Sequence, residues 1–166
     1  MSDLQKKAKS RIYFASDFHL GVPDAWASAE RERRIVRWLD CIEENAKEIF
    51  LLGDVFDFWF EYRDVVPKGY VRLLGKLATM ADNGCKIHFV CGNHDLWIRD
   101  YFEKDLGFII HRSAFETIID GKRFLIGHGD GLDFSDRKYR FISRLFKSRF
   151  CVAAFAALHP RCLCLQ

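Results

Sequence analysis

The stretch Lys86–Asp95, KIHFVCGNHD, carries the reading of the fold. Its first half is apolar enough for a strand buried in a sheet. The run then stops at Gly92 and gives way to Asn93, His94 and Asp95 in succession. An amide, an imidazole and a carboxylate are poor packing groups but good metal and phosphate ligands. A strand that empties into such a cluster has the character of a carboxyl end in an α/β sheet, where ligands collect.

The same arrangement recurs on both sides. RIYFAS, residues 11–16, is a short apolar run that leads into Asp17 and His19. EIFLLGD, residues 48–54, leads into Asp54 and Asp57. Downstream, SAFETIIDGKRFLIGHGD, residues 113–130, ends in His128 and Asp130. Between the first three strands lie amphipathic helices. Ile35, Trp38, Leu39, Ile42 and Ala46 share a helical period within 31–46, and Tyr70, Leu73, Leu74, Leu77 and Ala81 share another before a stop at Asn83-Gly84. Alternating strands and helices predict βαβ units and a mostly parallel sheet. Residues 113–130 differ, because two strand-like runs meet at Asp120-Gly121, a hairpin signal. The fold is therefore α/β, changing from βαβ units to an antiparallel element near residue 113. Beyond it, residues 139–158 read as one or two helices. Phe141, Leu145 and Phe146 lie on one face, with Arg140, Arg144, Lys147 and Arg149 elsewhere.

Composition narrows the class. The chain has 166 residues, 49% hydrophobic and 30% charged, which suits one globular domain with a sizeable core. A net charge of +3 is too small to argue for nucleic acid. No segment approaches the roughly 18 unbroken apolar residues of a membrane span. The opening MSDLQKKAKS lacks an apolar stretch after its charges, so a cytosolic location is expected. Cys41, Cys85, Cys91, Cys151, Cys162 and Cys164 form no CxxC pair, and reduced thiols are expected, the first three packed as small hydrophobes.

Carboxylate, imidazole and amide oxygen together suit manganese, iron or zinc. Alternation along an extended segment puts Asp17 and His19 on one side, toward one ion. Asp54, after a glycine that permits a tight turn, is placed to bridge two ions. Asn93 offers a carbonyl oxygen and His128 an imidazole. Two metals about 3.5–4 Å apart activate a water and neutralise a phosphate together. His94 then protonates a leaving oxygen or holds phosphate charge, with Asp95 orienting it. This predicts a phosphoester hydrolase. Taken singly, each residue has an ordinary explanation: an Asp after a strand is usually a turn or a cap. His88, His111 and His159 read as ordinary histidines, and Asp57 and Asp130 as supporting or structural groups. The coincidence of all the strand ends decides the matter.

The set of motifs resembles the calcineurin-like metallophosphoesterases. Their D-x-H, G-D-x-x-D, G-N-H-D/E and His-before-Gly-Asp patterns stand here as DFH, GDVFD, GNHD and GHGD, in order over residues 12–130. The resemblance implies a four-layer α/β/β/α sandwich and two divalent ions, manganese by preference. It assigns Asp17 and His19 to one ion, Asn93 and His128 to the other, Asp54 to the bridge and His94 to catalysis. Within the family, GDVFDFWFEY and HGDGLDFSDRKYRFISRLFKSRF look like a branch acting on a diacylated UDP-glucosamine in lipid A synthesis. That branch cleaves the pyrophosphate to lipid X and UMP. By the same likeness Asn93, His94, Asp136 and Tyr139 face substrate. The apolar and basic residues after Tyr139 would meet acyl chains and an anionic inner-membrane surface, peripherally from the cytoplasm.

The implied organisation is a single domain over 1–166. It comprises a motif-bearing core at 11–134 and the start of a helical cap at 135–160. Two departures stand out. Many members of that branch carry Arg where His94 stands, which keeps another phosphodiester or nucleotide open as substrate. The family's closing G-H-x-H motif is absent, and the tail CLCLQ is unlike the family. The expectation is a chain lacking its last strands, weak in metal binding and nearly inactive.

Overall fold

A computed structural model describes residues 9–130 and 148–157 of the chain. Four strands lie side by side in chain order: β1 (Arg11–Ala15), β2 (Ala46–Leu51), β3 (Lys86–Val90) and β4 (Ile109–His111). All three pairings are parallel. The crossovers carry α1 (Ala25–Ile42), α2 (Val71–Asp82) and the short α3 (Tyr101–Lys104). Right-handed crossovers between strands laid down in sequence order put every helix on the same face. The strand residues divide accordingly. Ile49, Leu51, Ile87 and Phe89 join the main core with Ile35, Leu39, Leu73 and Leu77 of the helices. Phe50 and Val90 point the other way, into a smaller core with Ile126, Ile12, Phe115 and Ile119.

That second core belongs to a hairpin, β5 (Phe115–Ile119) and β6 (Lys122–Ile126), paired antiparallel. Asp120 and Gly121 both take positive φ, 48° and 74°. This is the two-residue turn whose twist matches the flanking strands. Helices, parallel sheet and hairpin thus stack as three layers among the described residues. The α/β architecture, the sheet and the hairpin agree with the sequence expectation.

Three details differ. First, α1 begins at Ala25, ahead of the expected periodic stretch, because Asp24 caps it by accepting from the Ala27 amide at 2.8 Å. It also ends earlier, and Ala46 is the fully buried first residue of β2. A small apolar residue fits either period, and pairing with Arg11 of β1 decides. Second, β4 went unread in the sequence, since its 3 residues are too few to show alternation. Third, Cys41 is exposed, whereas Cys85 and Cys91 are buried as expected. Burial pushes the Cys85 thiol up to about 11.

Several of the aromatic residues share one cluster. Phe56, Trp59, Phe89 and Phe102 are fully buried and touch one another, with ring centroids 4.5 Å apart for Phe56–Trp59 and 5.2 Å for Phe89–Phe102. Each such side chain contributes about 1.5–3 kcal/mol through burial. This cluster packs beneath the loops that leave β2 and β3, and so supports the site from below. A further helix, α4 (Arg149–Ala157), meets the same region from outside. Its Phe155 lies 4.8 Å from Trp97 and 6.1 Å from Phe60.

Candidate metal centre

The site begins where β1 and β2 end. Their exit loops continue side by side: the amides of Asp17, His19 and Leu20 donate to the carbonyls of Gly53, Asp54 and Val55 at 2.9–3.1 Å. Along this seam the backbone is not simply extended. Asp17, His19 and Asp54 take left-handed φ values of 58°, 44° and 52°. Such conformations cost a non-glycine residue on the order of 1–3 kcal/mol, and persist only where the surroundings impose them. They re-aim the side chains, so plain alternation does not describe Asp17 and His19.

Two glycines bring the β2 and β3 exits into contact. A Cβ on Gly92 would lie 2.1 Å from Asp54 Oδ1, and one on Gly53 would lie 2.8 Å from the Gly92 backbone and from His128. The close approach lets the His94 amide donate to Asp54 Oδ1 at 3.1 Å. Asp54 is thereby buried at the junction of every motif-bearing loop.

Around it the donors form two groups. His19, Asp54 and His94 bring ligand atoms within 4.8 Å of one another, and so do Asp17, Asp54 and His128. Asp54 belongs to both, which is the placement a bridging carboxylate needs. The first group adds His94 to His19, and Asp17, which gathers with His128, also stands with its Oδ1 3.9 Å from His19 Nε2. Asn93 is half-buried on the segment immediately after Gly92.

The histidines are pre-set for cations. A carbonyl only accepts, so the 2.7 Å contact of His128 Nδ1 with the Leu52 carbonyl fixes the proton on Nδ1. Its Nε2 is the ring nitrogen turned toward Asp54, 3.3 Å from Oδ2. His94 Nδ1–H likewise donates to the Asp57 carbonyl at 2.8 Å. His19 Nδ1–H faces Asp57 Oδ1 at 3.2 Å, while its Nε2 stands 3.8 Å from Asp54 Oδ2 and 3.9 Å from Asp17 Oδ1. Ring nitrogens gathered about shared carboxylate oxygens make donor sets that a divalent cation can join. Holding the remote ring nitrogen with a protein acceptor is how metal-binding histidines are oriented. The residues therefore fit two divalent cations.

Asp57, taken from the sequence as a supporting group, touches both His19 and His94. Its Oδ1 is also 3.5 Å from His94 Nδ1. The only sequence signal for it was the D-x-x-D spacing from Asp54. Asp95, expected to orient His94, is fully buried and turned elsewhere. Its Oδ1 accepts from the Gly92 amide at 2.6 Å and its Oδ2 from the Val55 amide at 3.0 Å. Neighbours in sequence point apart here, and Asp95 staples the β2 exit to the β3 exit. Burial pushes its carboxyl up to about 6 in spite of both bonds. Asp136 and Tyr139 lie outside the described residues.

A shared carboxylate, two donor groups and paired strand exits make a candidate dinuclear metal centre. Residues 10–152 match the calcineurin-like phosphoesterase family, and the chain belongs to that family. Among its relatives is the UDP-2,3-diacylglucosamine hydrolase of Porphyromonas gingivalis, 45% identical over 154 residues, covering 92% of this chain and 59% of that protein. The hydrolase of the same name from Edwardsiella ictaluri is 29% identical over 127 residues, covering 76% of this chain and 47% of that protein. That from Aeromonas salmonicida is 30% identical over 134 residues, covering 80% and 50% respectively. The chain thus spans about half to three-fifths of the length of these relatives.

Proposed function

We propose that the protein is a dimetal phosphohydrolase that cleaves the pyrophosphate of UDP-2,3-diacylglucosamine to 2,3-diacylglucosamine 1-phosphate and UMP. The observation that carries the reading is the pair of donor groups sharing Asp54. The substrate is supported by the relatives' printed activity and by the 45% identity.

Two divalent cations would neutralise phosphate charge and activate the attacking water. Manganese suits the oxygen and nitrogen donors, as do iron and zinc. The protein's own groups do the rest. Asp54 would hold both ions, Asp17 with His19 would serve one, and His128 with the amide oxygen of Asn93 the other. His94 keeps its Nδ1 proton on the Asp57 carbonyl, so proton transfer to the leaving oxygen would run through Nε2. Asp57 positions that ring, and Asp95 holds the two exits together.

The organisation we favour is a single domain with its core over residues 11–134 and a helical cap from 135. Asp136 and Tyr139 would contact the substrate there. Phe150 of α4 is 84% exposed, a large apolar group suited to acyl chains or a lipid surface. Among the described residues no helix is long and apolar enough to cross a membrane. A peripheral place on the cytoplasmic face of the inner membrane fits that substrate.

The test is release of UMP from the acylated UDP-sugar with manganese, followed by liquid chromatography. UMP and lipid X are expected, at the low rate foreseen for this chain, and Asp54→Asn should abolish their release by removing a major electrostatic contributor. Cleavage of a simple phosphodiester without UMP release would instead favour a general phosphoesterase. His94, standing where many of that branch carry Arg, is the residue that supports this second reading.

A further inference from the structure

Outside the motifs, one cation is built into the candidate site's frame. Arg31 of α1 donates through Nη1 to three backbone carbonyls: Phe18 at 3.2 Å, His19 at 2.6 Å and Val22 at 3.0 Å. That nitrogen has two N–H groups, so one is shared. All three acceptors lie in the loop that presents His19.

The loop needs such a partner. Its amides at 17, 19 and 20 are pinned by the seam with residues 53–55. Its carbonyls at 18, 19 and 22 take no partner from that seam, the chain being turned left-handed at His19. The Leu20 carbonyl accepts from the Asp57 amide at 2.9 Å and the Tyr70 hydroxyl at 3.2 Å. The Gly21 amide donates to Ser28 Oγ, one helical turn before Arg31, at 2.8 Å. The carbonyls of residues 18, 19 and 22 fall to the guanidinium. Arginine suits the task, since its planar fork serves several acceptors at fixed angles and never loses its charge. The packing of α1 does not depend on it, because Ile35, Leu39 and Ile42 anchor the helix.

We propose that Arg31 is a positioning residue for the metal centre: by gripping the carbonyls of residues 18, 19 and 22 it holds His19 in its left-handed turn, and so sets the affinity of the ion that His19 would bind. It touches neither substrate nor ion. The inference rests on the proposed function, in which these donors hold two cations.

The experiment uses the full chain and Mn²⁺ alone. Free Mn²⁺ is followed by electron paramagnetic resonance during titration of wild type, Arg31→Gln, Arg31→Lys, the same-helix control Arg37→Gln, and Asp54→Asn. Hydrogen exchange of the peptide covering residues 17–22 is read in the metal-free proteins. Arg31→Gln is expected to weaken one of two Mn²⁺ sites at least tenfold while sparing the other. It should also speed exchange in the loop, with a melting temperature close to that of Arg37→Gln. Arg31→Lys should recover part of the affinity, and it decides the matter if the glutamine variant does not fold. Unchanged Mn²⁺ binding or unchanged exchange in the Arg31 variants, with binding still abolished by Asp54→Asn, overturns the role of Arg31 alone. Equal weakening of both sites together with a large loss of melting temperature also overturns it, as simple destabilisation. Mn²⁺ binding indifferent to Asp54→Asn sinks the metal-centre reading itself, and this proposal with it.

Discussion

At Gly92 the space for a side chain is already occupied by Asp54. A methyl group there would lie 2.1 Å from a carboxylate oxygen and 2.6 Å from the Asp54 amide. Neither can yield easily: the Asp54 backbone is in the seam with the β1 exit, and its side chain accepts from the His94 amide. Gly92→Ala should therefore push Asp54 out of both donor groups. We expect a stability loss of about 2 kcal/mol or more in urea unfolding, in the range of overpacked and strained sites. Manganese affinity should drop by more than tenfold in the same variant, which a titration of free Mn²⁺ checks. Asp95 illustrates the same scale from the other side. It is adjacent to His94, yet its two oxygens are spent on the amides of Gly92 and Val55. Asp57, from another loop, is what holds His94 and His19. The D-x-x-D spacing hinted at Asp57, but nothing local distinguishes the two carboxylates.

Among the elements, α2 owes its start to α1. Its first residue is preceded by Tyr70, which is left-handed and offers no side-chain cap. The buried Glu32 of α1 supplies one instead, a single oxygen accepting from the amides of Arg72 and Leu73 at 2.9 and 3.0 Å. Glu32→Ala should cost about 2–3 kcal/mol, by orphaning two donors at a positive helix end. Glu32→Gln keeps an acceptor oxygen and loses mainly the charge, so about 0.5–1 kcal/mol is expected. Thermal unfolding of both variants separates the two cases. Strands β3 and β4 carry a different device. His88 Nδ1 and His111 Nε2 are 3.0 Å apart, one donating to the other, and the rings lie on Phe50 and Phe115.

Burial lowers the pKa of both histidines. For His88, the nearby Glu48, 3.4 Å from Nε2, opposes the shift and Lys86 adds to it; for His111, His88 adds to it. An unfolded imidazole keeps its ordinary value near 6.5, so below that pH these two histidines take up more protons in the unfolded chain than in the folded one, a trend that Asp95, pushed up to about 6, opposes from about pH 6 downward. Stability should thus fall on acidification from about pH 6.5, by at most about 1.4 kcal/mol per pH unit for each proton. Urea midpoints between pH 5 and 7.5 test this, and His111→Phe should flatten the slope.

At the scale of the molecule, among the described residues, the helices close one face of the sheet and the hairpin closes only part of the other. Phe14 remains 45% exposed on β1, and Ile118 and Leu125 are 72% and 69% exposed on the outer side of the hairpin. The hairpin is a two-stranded sheet among the described residues, so its edges are open there. Apolar surface beside open strand edges favours association. Sedimentation velocity of the chain should show mass rising with concentration, and the double variant Ile118→Lys, Leu125→Lys should suppress the rise.

Residues in contiguous stretches determined much of this. Period, glycine stops and the Asp120-Gly121 turn are local signals, so the order of strands and helices, the parallel sheet and the hairpin could be read from the chain. The motif residues Asp17, His19, Asp54, His94 and His128 were legible for the same reason, each being a polar group beside a glycine or at the end of an apolar run. Which of them meet was decided only in three dimensions. The left-handed turns at Asp17, His19 and Asp54 rotate side chains away from the alternation that an extended strand would give. Glu32, Arg31 and Asp57 act on partners that other elements bring to them, and β4 exists because β3 offers it an edge. A linear pattern records what each residue prefers; who faces whom follows from the packing of the seam, where two glycines let separate loops touch.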